Sequence, residues 1–367
     1  MLTISAGLWS IEPQPMSPPS ADSLNDLLRA TSRSFYLTLR VLPARVRPQI
    51  GLAYLLARTT DTIADTELVP SAQRIHALSL LRERILGVRE QPGNFTSLAQ
   101  HQGSPAEKRL LEKVEDSLAL LNTLSPADLK LVRDVLATII GGQELDLRRF
   151  GSVSPAESRP GDQKIIALET AADLDDYTYR VAGCVGEFWT KICRAHLFPK
   201  ARLDETQLIA DGIRFGKGLQ LVNILRDLPA DLKNGRCYLP TQRLDEAKLF
   251  PETLLSSANA MKFLPLYHEY LDKAEAHLAA GWHYTNTLPF GQVRVRLACA
   301  WPVLLGMKTL AKLRAAEVKD LQQRVKVTRG EVRGVLLRSI LAYPLPGVWR
   351  NQFVPSRKAV ASGAKLA

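Results

Sequence analysis

The run from Ala53 to Thr66, AYLLARTTDTIADT, limits what this chain can become more than any other stretch. Tyr54, Arg58, Asp61 and Asp65 recur at steps of four, three and four, so on a helix they share one stripe. Leu52, Leu55, Leu56 and Ile63 surround that stripe, and a helix that is apolar on most sides is a buried one. Two carboxylates and a guanidinium then face inward. Ionised groups held away from water need partners, because the hydration they lose exceeds what packing returns. Arg58 answers one aspartate, not obviously both. Two carboxylates one turn apart suit a hard divalent cation, which takes oxygen ligands and shares them with a phosphate. An ordinary helical face with local ion pairs is the competing explanation for one such pair taken alone.

A second stripe tips the balance. From Thr206 to Leu228 the pattern is helical, and Gln220, Asn223, Asp227 and Asp231 follow at steps of three, four and four among Leu219, Leu221, Val222, Ile224 and Leu225. Pro229 is expected to interrupt this helix and leave Asp231 on a distorted last turn. Lys233, Gly235, Arg236 and Tyr238 then form a cationic turn ending at Pro240. Two inward acidic walls can hold several divalent cations around a diphosphate.

The remaining segments are helical in period, which predicts an all-α fold. Residues 1–21, with Pro13, Pro15, Pro18 and Pro19 and no period, read as a flexible arm. Residues 22–345 read as one helical domain and 346–367 as a basic, flexible tail. The helix beginning near Asp22 contains Ser32, Arg33 and Phe35, a hydroxyl, a cation and an aromatic that suit a phosphate as well as a helix junction. Helices follow over 72–88, 105–121 and 126–149, the last carrying GGQELDLRRF. Gly141 and Gly142 weaken it by about 1 kcal/mol each, which points to close approach of a neighbour or ligand. Between Leu168 and Ala195, Tyr177, Val181 and Val185 share a face, with Gly183 and Gly186 beside it. That face is either an apolar groove for a hydrocarbon chain or a tight helix contact.

Composition narrows the classes. Hydrophobic residues make up 46% of 367, enough for a packed core. Cys184, Cys193, Cys237 and Cys299 form no CxxC pair, so neither a disulfide framework nor a zinc site is indicated and a reducing, cytoplasmic setting fits. No signal peptide or bilayer-spanning run is present. The net charge of +11 gathers at the end, with 13 Lys and Arg against 3 Asp and Glu from Lys308 onward. Anionic lipid or a phosphorylated ligand fits that excess; no nucleic-acid motif accompanies it, and no obligate protein partner is evident. Trp349 and Phe353 in this tail are expected to reach a membrane interface, giving peripheral attachment.

The motifs SRSF (Ser32 to Phe35), Tyr54 to Asp65, YTYRVAGCVG (Tyr177 to Gly186) and QLVNILRDLPADLKNGRCYLP (Gln220 to Pro240) resemble the squalene and phytoene synthase family, and within it the squalene synthases. The resemblance covers most of residues 30 to 305 and implies a single-domain isoprenoid-synthase-type helical bundle around a central cavity. It further implies head-to-head condensation of two farnesyl diphosphates through presqualene diphosphate, then reduction by NADPH to squalene.

By the same resemblance Mg²⁺ lies on Asp61, Asp65, Asp227 and Asp231, and Tyr177 handles the proton. Arg33, Arg58, Arg226, Lys233 and Arg236 hold phosphate oxygens, and Gln220 and Asn223 orient phosphate or water. Tyr54, Val181, Gly183 and Val185 complete the substrate-binding set, the last three in the apolar wall. VKVTRGEV (Val325 to Val332) resembles the stretch tied to the reductive step, with Lys326 and Arg329 at its basic positions and Thr328 where a basic residue is usual. The rivals are a dehydrosqualene, hydroxysqualene or phytoene synthase acting without reduction, a terpene cyclase, and, from another class, a helical membrane-surface binding protein.

Overall fold

The computed structural model describes residues 21–31, 35–151, 165–316 and 325–361. The arm read over 1–21 lies, apart from Ala21, outside the described residues, as do Ser32 and Arg33. In chain order the helices are α1 (Ala21–Thr31), α2 (Phe35–Val41), α3 (Arg47–Ala64), α4 (Ser71–Leu86), α5 (Thr96–Gln100), α6 (Pro105–Glu112), α7 (Val114–Leu121) and α8 (Pro126–Phe150). After β1 (Ile166–Ala167) come α9 (Ala171–Thr178), a π-helical turn (Tyr179–Gly183), α10 (Cys184–Leu197) and α11 (Glu205–Lys233). Beyond β2 (Arg236–Cys237) lie α12 (Thr241–Glu246), α13 (Ala260–Thr287), α14 (Val293–Ala315), α15 (Arg329–Ala342), α16 (Pro346–Arg350) and α17 (Ser356–Ala361).

Local chemistry starts and ends these helices. Ser125 accepts the Asp128 N–H at 3.2 Å ahead of Pro126, and Asp204 accepts that of Gln207 at 3.0 Å. Thr170 and Asp173 close a capping box on α9. The last carbonyls of α3 are not left bare, since Arg74 Nη1 donates to Ala64 O at 2.6 Å. Leu55, Leu56, Ile63, Leu78, Leu81, Leu136 and Ile140 weld α3, α4 and α8 into one apolar core. A second forms around α11, α13 and α14 from Leu225, Leu228, Tyr267, Leu271 and Leu310. Phe215 and Val41 pack against both.

Pro229 does not interrupt its helix. α11 runs through it to Lys233, so Asp227 and Asp231 stay on one continuous stripe. A proline frees the carbonyl four residues earlier. Here that carbonyl, Leu225 O, accepts the Tyr267 hydroxyl at 2.9 Å, and a bond from α13 replaces the lost helical one.

The described part of the tail, read above as flexible from residue 346, packs onto α13 and α14 instead. Trp349 is 2% exposed, its ring stacks on Trp282 at 5.3 Å, and Nε1 donates to Asn286 Oδ1 at 2.8 Å. Phe353 also stacks on Trp282, at 6.1 Å. The Arg296 guanidinium lies 5.3 to 5.6 Å from the rings of Phe290, Tyr343 and Trp349, a cation held by aromatic faces. Trp349 is therefore no membrane anchor: both its ring and its N–H are already engaged within the fold.

Candidate active site

A cavity of about 240 Å³ lies where α3, α8, α9, the π-helical turn and α11 meet, lined by Asp61, Asp65, Gln143, Asp146, Tyr177, Gln220, Arg236 and Tyr238 among others. β1 and β2 pair in parallel, Ile166 with Arg236 and Ala167 with Cys237, which fixes Arg236 and Tyr238 beside this chamber. Gly235, at φ 72, makes the turn into β2 in a conformation that disfavours a side chain.

Asp61 Oδ1 accepts Gln143 Nε2 at 2.6 Å, and Arg58 Nη1 stands 3.6 Å from Asp61 Oδ2 while its other arm pairs with Glu107. Half of the Asp61 side-chain surface still opens into the hollow. Burial, and then repulsion from Asp65, push its pKa up to about 6. Asp65 is raised by burial against the opposing pull of Arg58 and Arg236. Asp146 accepts the Tyr238 hydroxyl at 3.0 and 3.2 Å and lies 4.0 Å from Arg236, yet burial holds it at about 6. Asp231 reaches about 7, through burial first and its neighbour Asp227 second.

The two walls act on common groups. Arg236 lowers both Asp65 and Asp231, and the charges of Asp146, Asp231 and Asp61 all raise Tyr177. Carboxylates here outnumber the cations that offset them, an oxygen-rich donor set that suits divalent metal. Among the described residues no three His, Cys, Asp or Glu side chains converge as a ready-made ligand cluster, so added oxygens would have to complete a shell.

These shifts have a measurable sign. Carboxyl groups raised in the fold to about 6 and 7 bind more protons folded than unfolded. Their contribution therefore favours folding at low pH and is lost as pH rises from the ordinary carboxylate range through those values. Asp231→Asn is expected to flatten that decline between about pH 5 and about pH 7.5. Thermal midpoints of both chains without divalent metal test this, and parallel curves would refute it. Added Mg²⁺ should raise the wild-type midpoint more at the upper pH, where it competes with fewer protons.

A second cavity, of about 210 Å³, is apolar and lined by Val181, Val185, Gly186, Trp189, Phe215, Leu219, Tyr284 and Pro302 among others. Val181 borders both chambers. The π-helical turn that carries it is a local widening of the helix, of a kind often found at functional sites. Glycines bring the flanking helices together: a Cβ on Gly186 would sit 1.8 Å from Gly212 O, and one on Gly216 2.2 Å from Ala182 O. Gly186 both packs tightly against α11 and borders the apolar cavity, whereas Gly183 only packs.

Of the residues singled out from sequence, Asp61, Asp65, Tyr177, Val181, Gln220 and Arg236 line the polar chamber and Val185 the apolar one. Tyr177 is 8% exposed and stacks on Tyr238 at 4.7 Å. Arg226 forks onto Asp227 at 2.5 and 3.1 Å. Asn223 and Lys233 are exposed on α11, and Gly183 is packed between Tyr179 and Ile213. The Tyr54 hydroxyl donates to Thr31 O at 3.4 Å, and Phe35 opens α2.

Lys326 and Arg329 are exposed and line neither chamber. Thr328 between them is the N-cap of α15, closing a capping box with Glu331. That role explains a hydroxyl residue at this position. Glu331, held by Lys308 and Lys312, is depressed to about 2.

Sequence reasoning missed Gln143, Asp146 and the part played by Tyr238. Gln143 and Asp146 stand three apart within GGQELDLRRF, on one helical face, but Glu144, Arg148 and Arg149 crowd the same run and the spacing alone does not mark that face as inward.

Residues 28–331 match the family described as squalene/phytoene synthase. The bifunctional lycopene cyclase/phytoene synthase of Colletotrichum graminicola is 30% identical over 256 residues, covering 68% of this chain and 39% of that protein. The chain thus spans about two fifths of that relative's length. The presqualene diphosphate synthase of Zymomonas mobilis is 27% identical over 337 residues, 91% of this chain and 98% of that one. Among solved structures, TcSQS with the ligand E5700 has a TM-score of 0.71 at 20% identity, covering 94% and 95% of the two chains. A dehydrosqualene synthase in complex with ligand has a TM-score of 0.57 at 18% identity, covering 88% of this chain and 95% of that one. The structural likenesses carry the helical fold, and the match over 28–331 carries the family: the chain belongs to the squalene/phytoene synthase family.

Proposed function

We propose that this enzyme condenses two molecules of farnesyl diphosphate head to head to presqualene diphosphate and reduces it, with NADPH, to squalene. The observation that carries the condensation is the pair of chambers, one acidic and one apolar, that meet at Val181. A diphosphate needs the first and a prenyl chain the second.

Arg58 and Arg236 are placed to take phosphate oxygens, Arg236 from between the acidic walls. Asp61, Asp65, Asp227 and Asp231 would hold Mg²⁺, which when bound neutralises the charge that develops on a departing diphosphate. Val181, Val185, Trp189 and Phe215 exclude water from the allylic cation, which water would otherwise quench. Tyr177 remains a phenol at neutral pH, since burial and its acidic neighbours raise it far above its ordinary value. It therefore acts as a proton relay, handing its own proton to a diphosphate oxygen as it takes up the one released on cyclopropane closure, and as a ring beside the cation. Tyr238 stacks on Tyr177 and is anchored by Asp146, so this unit sets the orientation of the phenol.

The NADPH assignment rests on the resemblance around Lys326 and Arg329, which are exposed and border neither chamber. That placement, together with the near-complete coverage of the Zymomonas mobilis relative, favours a second reading in which presqualene diphosphate is released unreduced. Incubation with farnesyl diphosphate and Mg²⁺, with and without NADPH, separates the readings by product. Squalene only with NADPH supports the first, and presqualene diphosphate under both conditions the second. A cyclic product from a single farnesyl chain would overturn both.

A further inference from the structure

We propose that the outer face of α15 and the turn into α16 form a docking surface for an anionic lipid bilayer. Unlike the tail aromatics, these side chains are free of the core. The inward face of α15 is Glu331, Val335, Ser339 and Ala342, at steps of four, four and three. Ser339 Oγ accepts Trp301 Nε1 at 2.9 Å, and the following residue, Tyr343, stacks on Phe290 at 5.0 Å, so that face is seated on the body of the protein.

The opposite side carries Leu337, Ile340 and Leu341 at 58%, 49% and 65% exposure, and Leu345 and Val348 extend it at 55% and 54%. A helix on the surface of a water-soluble protein keeps polar residues there. Arg333 lies one turn before Leu337 on the same face, Arg338 flanks it and Arg350 follows, all three exposed. From Val332 to Ala361 the chain has no Asp or Glu.

Exposed leucines ringed by arginines with no intervening acid are the chemistry of a helix lying along an anionic bilayer, apolar side in the acyl boundary and cations at the headgroups. A second copy of the chain is a poorer occupant, because facing copies would set arginine against arginine. No described helix is long and apolar enough to cross a membrane, so the contact is lateral. The inference stands apart from the catalytic reading and fails or holds separately from it.

The test is co-sedimentation of the full chain with vesicles of phosphatidylcholine containing about one third phosphatidylglycerol, against phosphatidylcholine alone. The wild type is expected to bind the anionic vesicles, to release as salt rises, and to bind neutral ones weakly. Leu337→Ser with Leu341→Ser should weaken partitioning about a hundredfold. Arg333→Gln with Arg338→Gln should weaken it about twentyfold, at unchanged thermal midpoint. Leu345→Ser provides the same reading should the double leucine variant fail to fold. Wild-type-like binding by the leucine variant, equal binding to neutral vesicles, or no wild-type binding would overturn the proposal. So would a dimer that the leucine variant dissolves.

Discussion

Asp61→Asn and Asp231→Asn, made singly, are each expected to lower kcat by about 10³-fold while leaving the folded chain as stable as the wild type or more so. The opposite signs follow from one cause. Each carboxyl is raised to about 6 or 7, by burial first and then by a second carboxylate, Asp65 in one case and Asp227 in the other. Removing the charge relieves the burial and crowding without metal and, on the proposed reading, removes a Mg²⁺ ligand when metal is bound. Steady-state kinetics on farnesyl diphosphate at saturating Mg²⁺, paired with thermal midpoints, measure both. The double variant should lose little beyond either single one, because residues that act as a unit are not additive. A modest loss of kcat in both single variants would remove the acidic walls from the chemistry.

Gly186→Val is expected to prevent the native fold or to destabilise it by more than about 3 kcal/mol. A Cβ at this position would stand 1.8 Å from Gly212 O and 2.4 Å from its carbonyl carbon, atoms of a helix backbone that cannot rotate away. Relief requires α10 and α11 to separate, and both line the apolar chamber. Gly347→Ala provides the control, since nothing lies within 4 Å of its added Cβ. Urea denaturation of the three chains reads the effect. A Gly186→Val chain with an unchanged midpoint would contradict the packing described here.

The first acidic stripe is legible in the sequence because helical spacing projects directly into a face, and Asp61 and Asp65 line the polar chamber; of the second stripe only Gln220 lines it, and Asn223 is exposed. Asp146 is not legible in that way. It stands among Glu144, Arg148 and Arg149, and the partners that mark it as inward, Tyr238 and Arg236, come from far along the chain. The passage of α11 through Pro229 depends likewise on the hydroxyl of Tyr267 from another helix. The tail misleads for a different reason: tryptophan and arginine together describe an interfacial segment and a cation in an aromatic cage equally well. Trp282 and Asn286 decide between them, and no local pattern reveals that.

The position of Val181 separates two properties that a prenyl-joining enzyme has to control. On the proposed reading, bond breaking happens on its acidic side, under Asp61, Gln143 and Arg236, whereas the tail is measured on its other side against Trp189, Phe215 and Tyr284. The two sets share no member but the valine. Selectivity for longer or shorter isoprenoids can thus drift by resizing distant aromatics, with the ionisation machinery left untouched.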